Sequence, residues 1–329
     1  MRKNIYRKRK KKPILLILLA CLLAIALAIG VVLWGLSHRD TPPDSGSTGD
    51  VSAESVTTTR RTLPVSFIDN NTFSPYVILY DATEEEVLYQ KQADVKCYPA
   101  SLTKLMTAIV AVEHAAADTV FTVGDEVHMI DPGSSRAYLT VGTRLSLSHL
   151  LQALLLPSGN DAAYVAAVGV GRLIAGNETL SNSEALALFV KKMNEKAAAL
   201  GCKGTHFANP DGIHRDDHYT TAADMLKISV AALDYPLIAE TVRMPESHVT
   251  LLSGQTVNWH NTNKLVQTDT IYTYDGIIGL KTGSTDQAGY CLAAGATRDG
   301  KTSLVIVMGA GQESNRFDDS AGLLDLSFQ

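Results

Sequence analysis

Apolar residues follow three regimes along the chain. At positions 14–36 they run unbroken for 23 residues without a charged side chain. About 20 such residues suffice to span a bilayer as one helix. Over 37–63 the apolar period disappears, and stretches such as Asp40-Thr41-Pro42-Pro43-Asp44-Ser45-Gly46-Ser47 read as a flexible tether. A coil of this length and composition reaches about 30 Å on average. From about Phe67 the pattern becomes that of a packed domain.

Within that domain, apolar-rich runs at 76–80 and 86–89 flank a short polar turn and predict a β-hairpin. Residues 101–114 predict a helix: Leu105, Met106, Ile109, Val110 and Val112 form a broad apolar face, and Pro99 stands just before the start. Helices are also expected over 145–156, over 183–200 and in the Ala-rich run after Asn160. Three strands follow at 276–282, 290–297 and 302–308, with Asp299-Gly300 as a hairpin turn between the last two. Residues 321–326 predict a closing helix. Helices in the middle with strands at both ends imply an α+β fold, with a mainly antiparallel sheet drawn from distant parts of the chain. No internal repeat is present. The expected organisation is a basic tail at 1–12, a membrane segment at 13–36, a linker at 37–65 and one catalytic domain at 66–329.

Charge sharpens this picture. The chain has 329 residues and a net charge of -5, but the eight Lys and Arg between positions 2 and 12 meet no acid before position 37. The remainder carries 21 basic against 34 acidic residues. An acidic body argues against nucleic acid, whose phosphates need a basic face. Basic residues before an apolar run keep the N-terminus inside and send the rest outside. A cleaved signal would have a shorter apolar core and a small-x-small site, and none stands after Trp34. Leu18-Leu19-Ala20-Cys21 resembles a lipoprotein signal, yet Leu19 fits it poorly and the apolar run continues past Cys21. The expectation is a single-pass anchor with an extracytoplasmic domain. Cys97, Cys202 and Cys291 lie beyond it. One disulfide and buried free thiols are both open.

Three short motifs carry chemistry. Ser101-Leu102-Thr103-Lys104 sets a serine and a lysine one turn apart on one helix face. A serine needs a base to become a nucleophile, and a lysine serves when burial lowers its pKa. Alone, the pattern is as well explained by a helix cap and a surface lysine. Ser158-Gly159-Asn160 follows Pro157, so a hydroxyl and an amide two residues apart can both face a cleft, although a plain turn has the same composition. Lys281-Thr282-Gly283 ends an expected strand. Its lysine and hydroxyl can hold a carboxylate, and its glycine admits a ligand backbone.

The motifs occur in this order, 57 and then 123 residues apart. Together they are the signature of serine penicillin-recognising enzymes. With the strings around them (Pro99 to Thr107, Ser158 to Ala163, Phe207 to Gly212 and Asp275 to Gly283), the chain from residue 67 onward resembles the D-alanyl-D-alanine carboxypeptidases of peptidase family S11, the low-molecular-weight penicillin-binding proteins. The resemblance implies a β-lactamase/transpeptidase-like fold: an antiparallel sheet flanked by helices, an all-helical lobe, and the active site between them. It implies removal of the terminal D-alanine from peptidoglycan stem peptides, acylation by β-lactams, and no metal or other cofactor. By the same resemblance Ser101 forms the acyl-enzyme, Lys104 accepts its proton and Ser158 shuttles a proton to the leaving D-alanine. Asn160 holds the peptide, Lys281 and Thr282 bind the terminal carboxylate, and Gly283 ends that motif. The amides of Ser101 and Ser284 form the oxyanion hole, and Arg316 lies near the substrate carboxylate. Many relatives continue into a β-rich second domain with an amphipathic membrane helix. Here the N-terminal segment is expected to replace that attachment.

Three other readings compete. A class A β-lactamase needs a deacylating glutamate, and Glu178-Thr179-Leu180-Ser181-Asn182 matches its loop only in part and lies too near Ser158. A metallopeptidase would use His214 and His218, but H-E-x-x-H is absent. A wall-peptide or β-lactam sensor would use the same residues as the enzyme.

Overall fold

A computed structural model describes residues 65–268 and 270–329. The basic tail, the apolar run at 14–36 and the tether at 37–63 lie outside the described residues. Among the described residues, no helix is long and apolar enough to cross a membrane.

The chain begins with helix α1 (Val65–Asn71) and the hairpin β1 (Tyr76–Asp81) and β2 (Glu86–Lys91). A 3-10 turn (Ala100–Leu102) leads into α2 (Thr103–His114). The short strands β3 (Val120–Thr122) and β4 (Arg144–Ser146) precede α3 (Leu147–Leu155), α4 (Asn160–Ala175) and α5 (Asn182–Ala199). Helices α6 (Ala222–Leu233) and α7 (Pro236–Arg243) come next, then the small hairpin β5 (Glu246–Thr250) and β6 (Thr256–His260). The chain closes with β7 (Ile277–Thr285), β8 (Gly289–Arg298), β9 (Lys301–Ala310) and α8 (Glu313–Ser327).

One antiparallel sheet runs β2-β1-β9-β8-β7. The register sets Tyr76 opposite Met308, so the first strand of the domain lies in the middle of a sheet completed by the last. Both faces are covered. On β9, Leu304, Ile306 and Met308 pack against the helical lobe, whereas Val305 and Val307 pack with Phe317, Leu323 and Leu324 of α8. Burial on both faces is why these strands read as continuous apolar runs. Asp299 and Gly300 join β8 to β9 with φ of 50° and 79°, the left-handed pair that a tight hairpin turn requires.

The lobe is built around α2. Its residues from Thr103 to Ala111 are all buried, so it is a central helix rather than an amphipathic surface one. The α+β expectation, the hairpins and the first helices hold. Two readings are corrected, and the open one on the cysteines is decided. Helix α8 begins at Glu313, not 321, because its polar first turn hides it, and Asp319 ties it to the chain before β1 by accepting from Ser74 N at 2.7 Å and Ser74 Oγ at 2.6 Å. Helix α1 starts at Val65, inside the stretch assigned to the linker. Cys97, Cys202 and Cys291 are all free thiols, so no disulfide forms among them. Burial pushes Cys97 and Cys202 up to about 12 and Cys291 up to about 11.

Candidate active site

Ser101 sits in the 3-10 turn, and Lys104 in the first turn of α2. The preceding Ala100 has φ 47°, which is costly for a residue with a Cβ. What holds it is the close packing of Gly212, whose own φ is +88° and whose Cβ, if present, would lie 1.9 Å from Ala100 O. Lys104 has no exposed surface. Its Nζ lies 2.8 Å from Ser101 Oγ, 2.7 Å from Asn160 Oδ1 and 2.8 Å from Asp211 O. Burial lowers its pKa to about 8, with the carboxylates of Asp211 and Asp161 pulling the other way. Asp211 shifts in the complementary direction: burial raises its carboxyl, and one oxygen, Oδ2, has no protein partner. Both shifts favour the uncharged forms.

This bond set decides what Lys104 can do. A carbonyl oxygen only accepts, so Asn160 Oδ1 and Asp211 O each take an N–H. In the neutral amine those two bonds use both hydrogens, and the lone pair is left facing the Ser101 hydroxyl. A half-buried serine backed by a buried amine in this way is a nucleophile with its base.

Ser158 lies between α3 and α4, and Asn160 at the start of α4. Ser158 is itself left-handed, at φ 60°. Asn160 opens α4, and its N–H donates to Ser135 O at 2.8 Å. The carboxylate of Asp161 accepts from Ala137 N at 2.8 Å and Leu139 N at 2.9 Å, fixing the 135–139 loop against the helix start. The adjoining cleft has a volume of about 370 Å³, and Ser101, Ser135 and Ser158 line it together with Thr282, Gly283, Ser284 and Arg316.

The third motif lies on β7, the edge strand nearest the nucleophile. A bulge at 277–279 is followed by Gly279 at φ 99° and Leu280 at φ 85°, directly before Lys281. Bulges re-aim the residues after them, and a leucine at positive φ is a strained position of the kind that gathers at functional sites. Lys281 is buried and donates to Thr282 O at 2.9 Å. Burial, then the neighbouring charges of Lys104 and Arg316, hold it well below the usual lysine range. Thr282 shares a 2.6 Å hydrogen bond with Thr262. A Cβ on Gly283 would lie 2.9 Å from Ser101 N, so a glycine is what lets the strand approach the nucleophile. Arg316, at 5% exposure, donates to Gly283 O at 3.2 Å.

The nine residues singled out in the sequence thus gather in one place. Asp211 and Gly212 were not assigned roles there. They act through a carbonyl and a missing Cβ, and their sequence signal is the turn-forming Asn209-Pro210-Asp211-Gly212 within the string Phe207 to Gly212 that supports the resemblance. Thr262, Lys264 and Glu313 of the cleft wall carry no motif. The histidine pair separates. The ring nitrogens of His218 meet Thr103 Oγ1 at 2.8 Å and Ala208 N at 3.1 Å, and burial lowers its pKa to about 3, while His214 lies edge-on to Tyr98. Ser181 and Glu184 form the capping box of α5, which accounts for part of the glutamate-containing stretch.

Comparison with known proteins agrees with this geometry. The family profile of D-alanyl-D-alanine carboxypeptidase, peptidase S11, matches residues 68–312. D-alanyl-D-alanine carboxypeptidase DacF of Bacillus subtilis is 31% identical over 255 residues, 76% of this chain and 61% of the relative. D-alanyl-D-alanine carboxypeptidase DacA of Escherichia coli is 32% identical over 262 residues, 77% of this chain and 60% of the relative. The chain therefore spans about three fifths of the length of these two relatives. The crystal structure of the Streptomyces K15 DD-transpeptidase superposes with a TM-score of 0.72 at 30% identity, covering 78% of this chain and 97% of that one.

Proposed function

Because the chain belongs to the D-alanyl-D-alanine carboxypeptidase family of peptidase S11, we propose that it hydrolyses the terminal D-Ala-D-Ala bond of peptidoglycan stem peptides through an acyl-enzyme on Ser101, and that β-lactams acylate the same oxygen. The observation that carries this reading is the set of three bonds at Lys104 Nζ, which holds the amine against Ser101 Oγ.

Neutral Lys104 takes the Ser101 proton as Oγ attacks the carbonyl carbon of the penultimate D-alanine. The amides of Ser101 and Ser284 stabilise the oxyanion. Asn160 gives its Oδ1 to Lys104 and keeps its Nδ2 to hold the peptide. Thr282 and Arg316 receive the terminal carboxylate, with Lys281 bracing Thr282 by donating to its carbonyl oxygen and Gly283 leaving room for the peptide backbone. As the C–N bond breaks, the proton on Lys104 passes through Ser158 to the departing D-alanine amine. Water then attacks the ester, Lys104 takes its proton, and the shortened peptide leaves Ser101 with its hydrogen restored. No step needs a metal or cofactor. We further propose that the domain works on the outer face of the cell membrane behind the N-terminal apolar segment. Support comes from the basic residues before that segment and its uncharged length.

The pH dependence of D-alanine release tests the role of Lys104. The amine must be uncharged, and its pKa is lowered to about 8. Acylation should therefore rise about tenfold per pH unit below that value and level off above it. A rate unchanged between pH 6 and pH 9 contradicts the assignment.

A further inference from the structure

Among the residues that line the cleft, one carboxylate stands with two cations. Glu313, the first residue of α8, lines the cleft with Lys264 and Arg316. Its Oε1 accepts from Arg316 Nη2 at 3.0 Å and lies 3.2 Å from Lys264 Nζ, so a single oxygen bridges the two cations. Arg316 also donates to Gly283 O and lies over the rings of Phe317 and Tyr290, at 4.8 and 5.4 Å from their centroids, and its Nε is buried without a hydrogen-bond partner. A buried guanidinium with an unused donor has unspent capacity for an anion. Glu313 is 45% exposed in its side chain and can swing into solvent, whereas Arg316 at 5% exposure cannot follow it.

We propose that Glu313 occupies, in the free protein, the position that the terminal carboxylate of the substrate takes on binding, and that Lys264 is a second cation of that carboxylate site. This rests on the assignment of Arg316 to the substrate carboxylate. The incoming carboxylate displaces an internal one, exchanging like for like on the same donors. Lys264 sits 5.7 Å from the Tyr272 ring and 5.5 Å from the Phe317 ring, contacts that keep its head near the cleft when Glu313 departs. A ligand without a terminal negative charge leaves the Glu313 pairs in place and gains nothing from Arg316 and Lys264. Lys264 thus adds to the preference for a free C-terminus, Glu313 competes against it, and the net charge of the site is nearly unchanged by binding.

The test compares an N-acylated tripeptide ending in D-Ala-D-Ala with its C-terminal amide. Affinity is measured by calorimetry on the Ser101→Ala protein, so that turnover plays no part. In that background Glu313→Gln removes the competing charge and should raise the acid-to-amide affinity ratio about three- to tenfold, while Lys264→Gln should lower it about three- to tenfold. Glu313→Ala should act as Glu313→Gln does, which separates lost charge from a rearranged amide. A ratio that Glu313→Gln leaves unchanged or lowers overturns the exchange, and one that Lys264→Gln leaves unchanged removes Lys264 from the site. A parent ratio near one would instead strike at the carboxylate role of Arg316 itself.

Discussion

Lys104→Met should reduce both D-alanine release and penicillin acylation at least about a thousandfold, the scale expected for removing the base of a serine nucleophile. Methionine fills a comparable volume in a site with no exposed surface, so the helix is expected to remain folded. Asn160 Oδ1 and Asp211 O lose their donor, and Ser101 loses its acceptor. Lys104→Arg should fare no better, because a guanidinium stays protonated at any working pH and offers no lone pair. Burst kinetics with a chromogenic β-lactam, with circular dichroism to verify folding, reads both variants. Acylation by either one within tenfold of the parent would remove Lys104 from the role of base.

A second large effect is expected at a residue that has no side chain. Gly212→Ala should abolish acylation by at least about a hundredfold and destabilise the domain by more than about 3 kcal/mol. Two costs combine. The backbone at φ +88° is unfavourable for alanine by about 1–2 kcal/mol. The new Cβ would also meet Ala100 O at 1.9 Å, and neither partner is a flexible side-chain end. Relief requires moving either the turn that carries Ser101 or the segment that presents Asp211 O to Lys104. Gly254→Ala is the control: its φ is +86°, but nothing lies within 4 Å of the added Cβ. It should cost about 1–2 kcal/mol from the backbone alone and leave acylation unchanged. Thermal unfolding and acylation rates of the two variants separate strain from displacement.

These two positions also show what a sequence discloses and what it withholds. Lys104 was legible because the chemistry needs that side chain at that distance from Ser101, and because two further motifs recur in order. The strand run 277–310 was legible because burial on both faces leaves a continuous apolar signature. Gly212 and Asp211 work through a vacancy and a main-chain carbonyl, and neither leaves a side-chain signature. Glu313 and Lys264 are ordinary surface-type residues whose placement in the cleft depends on where β7 and α8 meet the loop after β6. Helix α8 was read too short because Glu313, Ser314 and Asn315 face polar surroundings while Arg316 and Asp319 are buried as polar groups. Helix α6 has an apolar face and a Thr221 cap and was legible in principle, since Thr221 accepts from Asp224 N at 3.0 Å as an ordinary N-cap does. The cysteines were undecidable from spacing, because pairing depends on side-chain distances across the fold.

The central claim is that Ser101 is the acylated nucleophile of a D-alanyl-D-alanine carboxypeptidase. Intact-mass and peptide-level mass spectrometry of the purified chain tests it most directly, after incubation with benzylpenicillin and, separately, with a peptide ending in D-Ala-D-Ala. The account predicts one penicilloyl adduct per chain on the peptide containing Ser101, none in Ser101→Ala, and release of a single D-alanine from the substrate. An adduct on any other residue, or a substrate that keeps its terminal D-alanine, would contradict it.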